Sequence, residues 1–408
     1  MIYKYLVFFL FVGYVACNMF DFKLGYVASN MFEDTNAPVL LEVVNANWKV
    51  AINMYKQLLK RDTREDLFFS PYSMTLNLLG LHMGANGGTA NAIRSTLGLA
   101  AVTKDHINSQ SLIYVDVVFQ KNYELLSSKF FYFDDSINLL KSYTDGVRAF
   151  FLQAVNIEFL DPVVAAAKIN QNVSKDTNGK MSHHVLKEWL TSDTKFLIIS
   201  ALDFKGKWEV QFDSVTQGQF KTVDGAFKPQ TYMEKTGVFK IGSIPNLSLR
   251  ILEVPYFNNT LAKYIFLPND HIGLTAFETS RLDTKTLKDL IAALKPMNAK
   301  ISIPKFKALS HQELNSEFEA IGLGNLFTPG EADFSGMDSN AVAGKLALNQ
   351  YVHQAGVSFD VDGANSPSKE TPINPGTTEE FKADHSFLYV IIGKKKNVPF
   401  FIGRYNGK

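Results

Sequence analysis

The side chains of this 408-residue chain that could do chemistry are few and poorly placed for catalysis. Its eight histidines are scattered, and the adjacent pair His183 and His184 is a poor chelating arrangement. No His-x-x-x-His motif or carboxylate cluster with ligand spacing occurs, so neither a metal nor a cofactor is expected. Gly322-Leu-Gly324 lacks the third glycine of a phosphate-cradling loop and falls at a helix end. Cys17 is the only cysteine and lies in a segment expected to be removed, which leaves no disulfide framework and no thiol nucleophile. With no catalytic constellation, the chain is not expected to be an enzyme.

What the chain does offer is a segment that could serve as a substrate. Val361 to Glu380 holds Pro367, Pro372, Pro375, Gly363 and Gly376 among Ser, Thr, Asn and Glu, and almost nothing that could be buried. Such a composition predicts an exposed loop. It is bounded by β-type runs, Gly356-Val-Ser-Phe-Asp360 before it and Ser386-Phe-Leu-Tyr-Val-Ile-Ile392 after it. Exposed loops of this length usually carry function or are disordered.

The rest of the chain must position that loop. At 46% hydrophobic and 20% charged, it is globular and long enough for two ordinary domains or one large one. Lys and Arg total 41 against 40 Asp and Glu, a net charge of +1 that gives no global reason to expect nucleic acid or an anionic surface as partner. The 33 phenylalanines are attributed to core packing. Lys4, the apolar run Leu6 to Val15 and the small-residue site Val15-Ala-Cys17 predict a signal peptide over 1–17. That run is too short to span a bilayer, so a secreted, extracellular protein with no membrane association is expected. Residues 18–45 form an N-terminal extension in which Gly13-Tyr-Val-Ala-Cys-Asn-Met-Phe20 recurs as Gly25-Tyr-Val-Ala-Ser-Asn-Met-Phe32, a local duplication. Cleavage after Ser29 is the alternative to cleavage after Cys17.

Beyond the extension, apolar spacing predicts a helix over Asn47 to Leu59. Leu67-Phe-Phe69 predicts a short strand that ends at Ser70, a helix cap with Pro71 at the first helical position. Gly84-Ala-Asn-Gly-Gly-Thr89 then breaks that helix before a third leading to Leu97-Gly-Leu99.

These motifs carry a resemblance. Phe69-Ser-Pro-Tyr-Ser73, followed by Gly84-Ala-Asn-Gly-Gly-Thr89 and Leu97-Gly-Leu99, resembles the serpins in order and spacing. Further matches follow in sequence: Ile169-Asn170 with Thr177-Asn-Gly-Lys-Met181, Phe196 to Val210, Thr216 with Phe220, Leu252-Glu-Val-Pro-Tyr256, and Ile265-Phe-Leu-Pro268. Ile303-Pro-Lys-Phe306, Ala332-Asp-Phe-Ser-Gly336 and Pro399-Phe-Phe-Ile-Gly-Arg404 complete the series, which covers residues 46–408. The resemblance implies an α+β domain with three β-sheets, about nine helices and an exposed reactive loop, here 361–382. In inhibitory members a peptidase attacks the loop, forms an acyl-enzyme, and is distorted when the cleaved loop inserts as a new central strand of the main sheet.

The family's moving parts fall on particular residues by resemblance. A hydrogen-bonded shutter beneath the opening sheet matches Ser70, Ser73, Ser200 and His353. The family usually has Asn at the position of Ser200, and the shorter serine implies a looser gate or a recruited water. Trp208 matches the tryptophan of the breach, where the loop first enters the sheet. On residue type alone His353 is a satisfied core histidine and Trp208 a packed aromatic. Gly363 matches the hinge glycine, and the hinge continues as Ala364, Asn365, Ser366 and Pro367, where inhibitory members carry small residues.

That departure has consequences. Pro367 and Pro372 have no N–H for a central strand's ladder. Successive side chains face opposite sides, so either Lys369 or Glu370 would point toward the core. Insertion is therefore disfavoured. The loop is also shorter than the family's usual one: counting forward from the hinge places the scissile position at Thr377, and counting back from the Phe387 strand places it at Pro375. Thr377-Thr378 is preferred, with Pro375 and Gly376 as the other candidates. None is Arg or Lys, so a trypsin-like target is not expected. The resemblance implies a monomeric inhibitor of an extracellular serine peptidase, or of a cysteine peptidase as cross-class target. One alternative is an atypical inhibitor whose shorter, proline-stiffened loop is preorganised and binds a peptidase without deep insertion; the other is a non-inhibitory carrier, storage or extracellular structural protein. Asn172, Asn246 and Asn258 head glycosylation sequons. Lys394-Lys-Lys396 is expected to be a solvated hairpin turn, and Thr103 to Lys129 lacks the basic clustering that polyanion regulation needs.

Overall fold

Helix α1 (Pro38–Leu59) buries Val43, Val44, Trp48, Ile52, Tyr55 and Leu58 at helical spacing. It begins well before Asn47, inside the stretch expected to be extension, because Pro38 suits a first helical position and Val43 and Val44 continue the apolar face. The computed structural model describes residues 38–62, 64–100, 102–104, 123–148, 150–181, 185, 187–340, 343–361 and 378–408. The expected signal peptide and duplication, His183, His184, the hinge residues Gly363 to Pro367, and Pro375, Gly376 and Thr377 lie outside the described residues.

Strand β1 (Leu67–Phe69) and helix α2 (Pro71–Gly84) fall as their signals predict. The Ser70 side chain accepts from the Ser73 N–H at 3.1 Å and Pro71 opens the helix. Helix α2 is buried almost all round, so it forms the spine of the core rather than a surface helix. Helix α3 (Gly87–Leu97) closes on Gly98, whose φ of 74° is the left-handed cap that glycine adopts without strain.

The chain continues through β2 (Glu124–Asp134), α4 (Lys141–Arg148), β3 (Gln153–Ile157), α5 (Pro162–Asp176), β4 (Phe196–Lys205), β5 (Ser214–Lys221), β6 (Phe227–Ile244) and β7 (Leu249–Pro255). Then come β8 (Leu261–Pro268), α6 (Gly273–Ser280), α7 (Thr284–Ala292), β9 (Lys295–Pro304), β10 (Phe306–Glu313) and α8 (Asn315–Phe318). Strands β11 (Gln350–Phe359), β12 (Glu379–Lys382), β13 (Phe387–Gly393) and β14 (Val398–Tyr405) end it.

Two sheets organise these strands. The main sheet has five, in the order β10-β11-β4-β2-β3. The second has nine, in the order β1-β14-β13-β8-β7-β6-β9-β12 with β5 on β6. The expectation of three sheets and about nine helices is approximately met: there are eight α-helices among the described residues, and the strands form two sheets, the larger continuous through β6. That strand is 18 residues long, pairing with β5 by its first half and with β7 by its end.

The nearly continuous apolar run of β4 follows from burial on both faces. Leu197, Ile199 and Ala201 pack under α5, whereas Ile198 and Leu202 face the larger core around α2. A buried ion pair joins the ends of that core: Arg404 on β14 lies 3.2 Å from Glu278 on α6, both about 1% exposed, and Glu278 accepts the Tyr55 hydroxyl at 2.5 Å. Arg404 also donates to the carbonyls of Asp62 and Glu65, fixing the turn before β1. Arg404→Met, which strands the Glu278 carboxylate, should lower unfolding stability in urea by about 3–5 kcal/mol. A loss below about 1 kcal/mol would show that the pair does not hold these elements together.

Candidate functional site

The two central strands of the main sheet, β11 and β4, pair in parallel from Gln350↔Leu197 to Val357↔Phe204. Midway along this seam His353 lies directly across from Ser200, on the face that looks down onto α2. Both are polar in an otherwise apolar phase of their strands and both are buried. The Ser70 N–H donates to His353 Nε2 at 3.0 Å, and the Ser70 hydroxyl donates to the Phe400 carbonyl at 2.8 Å. Ser73 Oγ sits 2.7 Å from Ser200 Oγ, which is 3.3 Å from His353 Nδ1. The shutter residues Ser70, Ser73, Ser200 and His353 are thus brought together as one chain of bonds across the seam. Ser200 is short, yet it contacts Ser73 and His353 directly.

This arrangement sets the histidine's chemistry. Nε2 faces an N–H donor, so it must be an acceptor, and the ring's proton belongs on Nδ1, directed at Ser200. A second proton would set two donors against each other. Burial, helped by the nearby His311, lowers the His353 pKa to about 3. The imidazole is therefore neutral and serves as a hydrogen-bonding bridge.

The loop's two attachments frame the seam. At the end of β11, Trp208 donates its indole N–H to the Asp360 carbonyl at 3.0 Å and stacks on Tyr256 at 4.5 Å. Trp208 thereby clamps the residue from which the loop departs, the position expected of the breach tryptophan. At the other attachment Thr378 is exposed, and the chain joins β12, which pairs in parallel with β9 and buries Phe381, so the loop expected over 361–382 ends by Thr378: its last four residues are a paired strand. Arg250 holds this end by donating to the Glu380 carbonyl at 2.6 Å, pairing with Glu379 at 3.8 Å and lying 5.2 Å over the Phe381 ring. Motif matching missed Arg250, since no spacing marks a residue whose partners lie far along the chain.

The remaining candidates divide. Asn246 and Asn258 are exposed, and Asn258 occupies a left-handed turn conformation. Asn172 sits within α5 and donates its amide to the Tyr132 hydroxyl at 3.1 Å, so its nitrogen is already engaged. The basic run Lys394 to Lys396 does form the β13–β14 turn, but Lys394 is not simply solvated: it reaches Glu253 at 2.5 Å and Asn259 at 2.6 Å. Among the described residues no cluster could hold a metal ion, and no helix is long and apolar enough to cross a membrane.

The clasp carries a pH dependence. Because the folded His353 pKa lies below the unfolded value of 6.5, unfolding takes up a proton in the window between them. The stabilisation is complete above about pH 6.5 and is lost as pH falls toward 3, by up to about 1.4 kcal/mol per unit. His353→Gln keeps an acceptor without the titration, so its stability should fall less steeply between pH 6.5 and 5. Equal slopes in the two proteins would remove His353 from the account.

Comparison with known proteins agrees with this geometry. A family model described as serpin (serine protease inhibitor) matches residues 45–407. Serine protease inhibitor 42Dd of Drosophila melanogaster is 30% identical over 90% of this chain and 98% of its own, and Serpin B5 of Mus musculus 27% identical over 88% and 98%. A crystal structure of maspin superposes with a TM-score of 0.82 at 26% identity, covering 91% of this chain and all of that one. Uncleaved ovalbumin shares the fold at a TM-score of 0.80 and 23% identity. With the clasped seam between β11 and β4, and with β11 ending at Phe359 and β12 beginning at Glu379 on either side of the expected loop, the chain belongs to the serpin family, whose members are generally protease inhibitors.

Proposed function

We propose that the protein is a secreted serpin-type endopeptidase inhibitor that presents the loop between β11 and β12 to an extracellular serine peptidase, or to a cysteine peptidase as cross-class target. The observation that carries this reading is the closed β11–β4 seam. Its two strands are parallel neighbours, so a segment returning from the end of β11 has a slot in which it would run antiparallel to both. The clasp of Ser70, Ser73, Ser200 and His353 lies beneath that slot, and Trp208 stands at its mouth.

The target follows from the loop's side chains. Thr377, Thr378, Pro375 and Gly376 are small or constrained, and none would fill a pocket built for Arg or Lys. They suit an elastase-like pocket, which is small. One relative, 27% identical, carries the name Leukocyte elastase inhibitor in Xenopus laevis. In this reading the protein acts as a monomer.

Pro367, Pro372 and the Lys369-Glu370 pair impair insertion, which is the one feature that favours a second reading, a non-inhibitory carrier, storage or extracellular structural protein. The two separate on incubation of the mature protein with a panel of serine and cysteine peptidases, read on denaturing gels and by mass spectrometry of the released C-terminal peptide. Inhibition predicts loss of peptidase activity with attack mapped to 375–378. Loop cleavage by a peptidase that stays fully active would favour the second reading. Replacing residues 365–372 by Ala and Thr should raise the fraction of peptidase trapped as a denaturation-stable complex. An unchanged fraction would move the obstacle from these residues to Ser200 or to loop length.

A further inference from the structure

Strand β8 is buried from end to end, yet its third residue is a lysine. Lys263 has no exposed surface, and among the described residues its Nζ has no hydrogen-bond partner. The amine instead lies among rings: 3.6 Å from the centroid of Phe359, 4.8 Å from Phe306, 4.9 Å from Tyr389 and 5.7 Å from Phe387. The ring that approaches most closely belongs to the last residue of β11, next to the Asp360 carbonyl that Trp208 holds. A buried amine therefore sits under the point from which the loop departs.

Among the described residues the surroundings offer it no counter-ion. Its ladder neighbours are Val254 on β7 and Ile391 on β13. Glu253 and Tyr264, one position away on the opposite face, bond each other, and Glu253 also pairs with Lys394. The titratable groups behind the rings are Tyr389, Tyr256 and Tyr405, with phenols pushed up by burial, and Asp66, whose carboxyl burial raises to about 6. β10 and β11 contribute only Phe306 and Phe359 to the cage. Four ring faces favour a cation, but loss of hydration with no opposite charge opposes it more strongly. Burial accordingly drives the amine well below the ordinary lysine range.

We propose that Lys263 and its ring cage form a proton-sensitive catch on the loop end of β11: Phe359 seals an uncharged amine while the seam is shut, and opening the seam there hydrates the amine and binds a proton. The proposal rests on the reading of the β11–β4 seam as the element that opens, and not on any peptidase being inhibited. The closed state binds fewer protons than the open one, so falling pH favours opening and rising pH favours closure. The loop would thus be released more readily in acid.

Amide hydrogen exchange of residues 354–361, followed by mass spectrometry from pH 6 to pH 9, tests this in the wild-type protein and in Lys263→Met. The ratio of the two exchange rates cancels the intrinsic pH dependence of exchange. With the catch, that ratio rises at least tenfold as pH falls from 9 to 6, since each unit of proton linkage is worth up to about tenfold. A ratio that does not change with pH, as simple packing of the lysine stem would give, overturns the proposal. Phe359→Leu, which thins the seal, should open faster than wild type with a larger gain at pH 6 than at pH 9, and equal gains would count against the catch even if Lys263→Met failed to fold. A protein that inhibits no peptidase could still pass these tests.

Discussion

Everything in this molecule depends on the contact between β11 and β4. Their ladder lies at the centre of the main sheet, covered by α5 on one side and α2 on the other. Separating the strands with nothing to replace either edge would leave buried N–H and carbonyl groups unpaired, at about 1–3 kcal/mol each. The seam can open at an acceptable cost only when a strand arrives to fill it. The clasp adds a local condition, because Ser200 and His353 are bonded across the seam and to the helix beneath it. In a water-excluded site such a network is strong when complete and costly when half made.

The loop is tied to both ends of this arrangement. Trp208 and the Lys263 cage fix the chain where β11 ends, and Arg250 fixes it where β12 begins. The hinge sequence disfavours insertion, since each proline removes one ladder bond and one member of the Lys369-Glu370 pair would face the core.

Local rules made much of this legible in the sequence. The Ser-Pro signal placed β1, Ser70 and Pro71 correctly, because a cap and a fixed φ act within a few residues. Family resemblance singled out Ser70, Ser73, Ser200 and His353, which the structure brings into contact, although spacing alone could not join Ser70 to a histidine 283 residues away. The helix expected from Asn47 starts at Pro38, since an apolar face has no sharp beginning without a cap. Ser200 was expected to fall short, but a side chain's reach depends on how closely α2 approaches β4, which no sequence states. Lys394 found Glu253 across a sheet contact, and Arg250 and Lys263 went unnoticed for the same reason. The lysine did leave one trace, a charge in the otherwise apolar strand Leu261 to Pro268 that ends in the family's Ile-Phe-Leu-Pro motif.

The central claim, that the seam is an openable slot and the hinge resists filling it, is tested most directly by the melting temperature of the protein before and after cleavage within residues 375–378. Insertion of the loop as a full central strand would add two ladders to the main sheet and raise the melting temperature by tens of degrees: about 1 kcal/mol corresponds to only roughly 1–2 °C in a chain of this size, but the buried bonds of two ladders together contribute on the order of ten kcal/mol or more. The account predicts a cleaved protein that melts within a few degrees of the intact one. A rise of tens of degrees would contradict it and show that Pro367, Pro372, Lys369 and Glu370 are accommodated in the sheet.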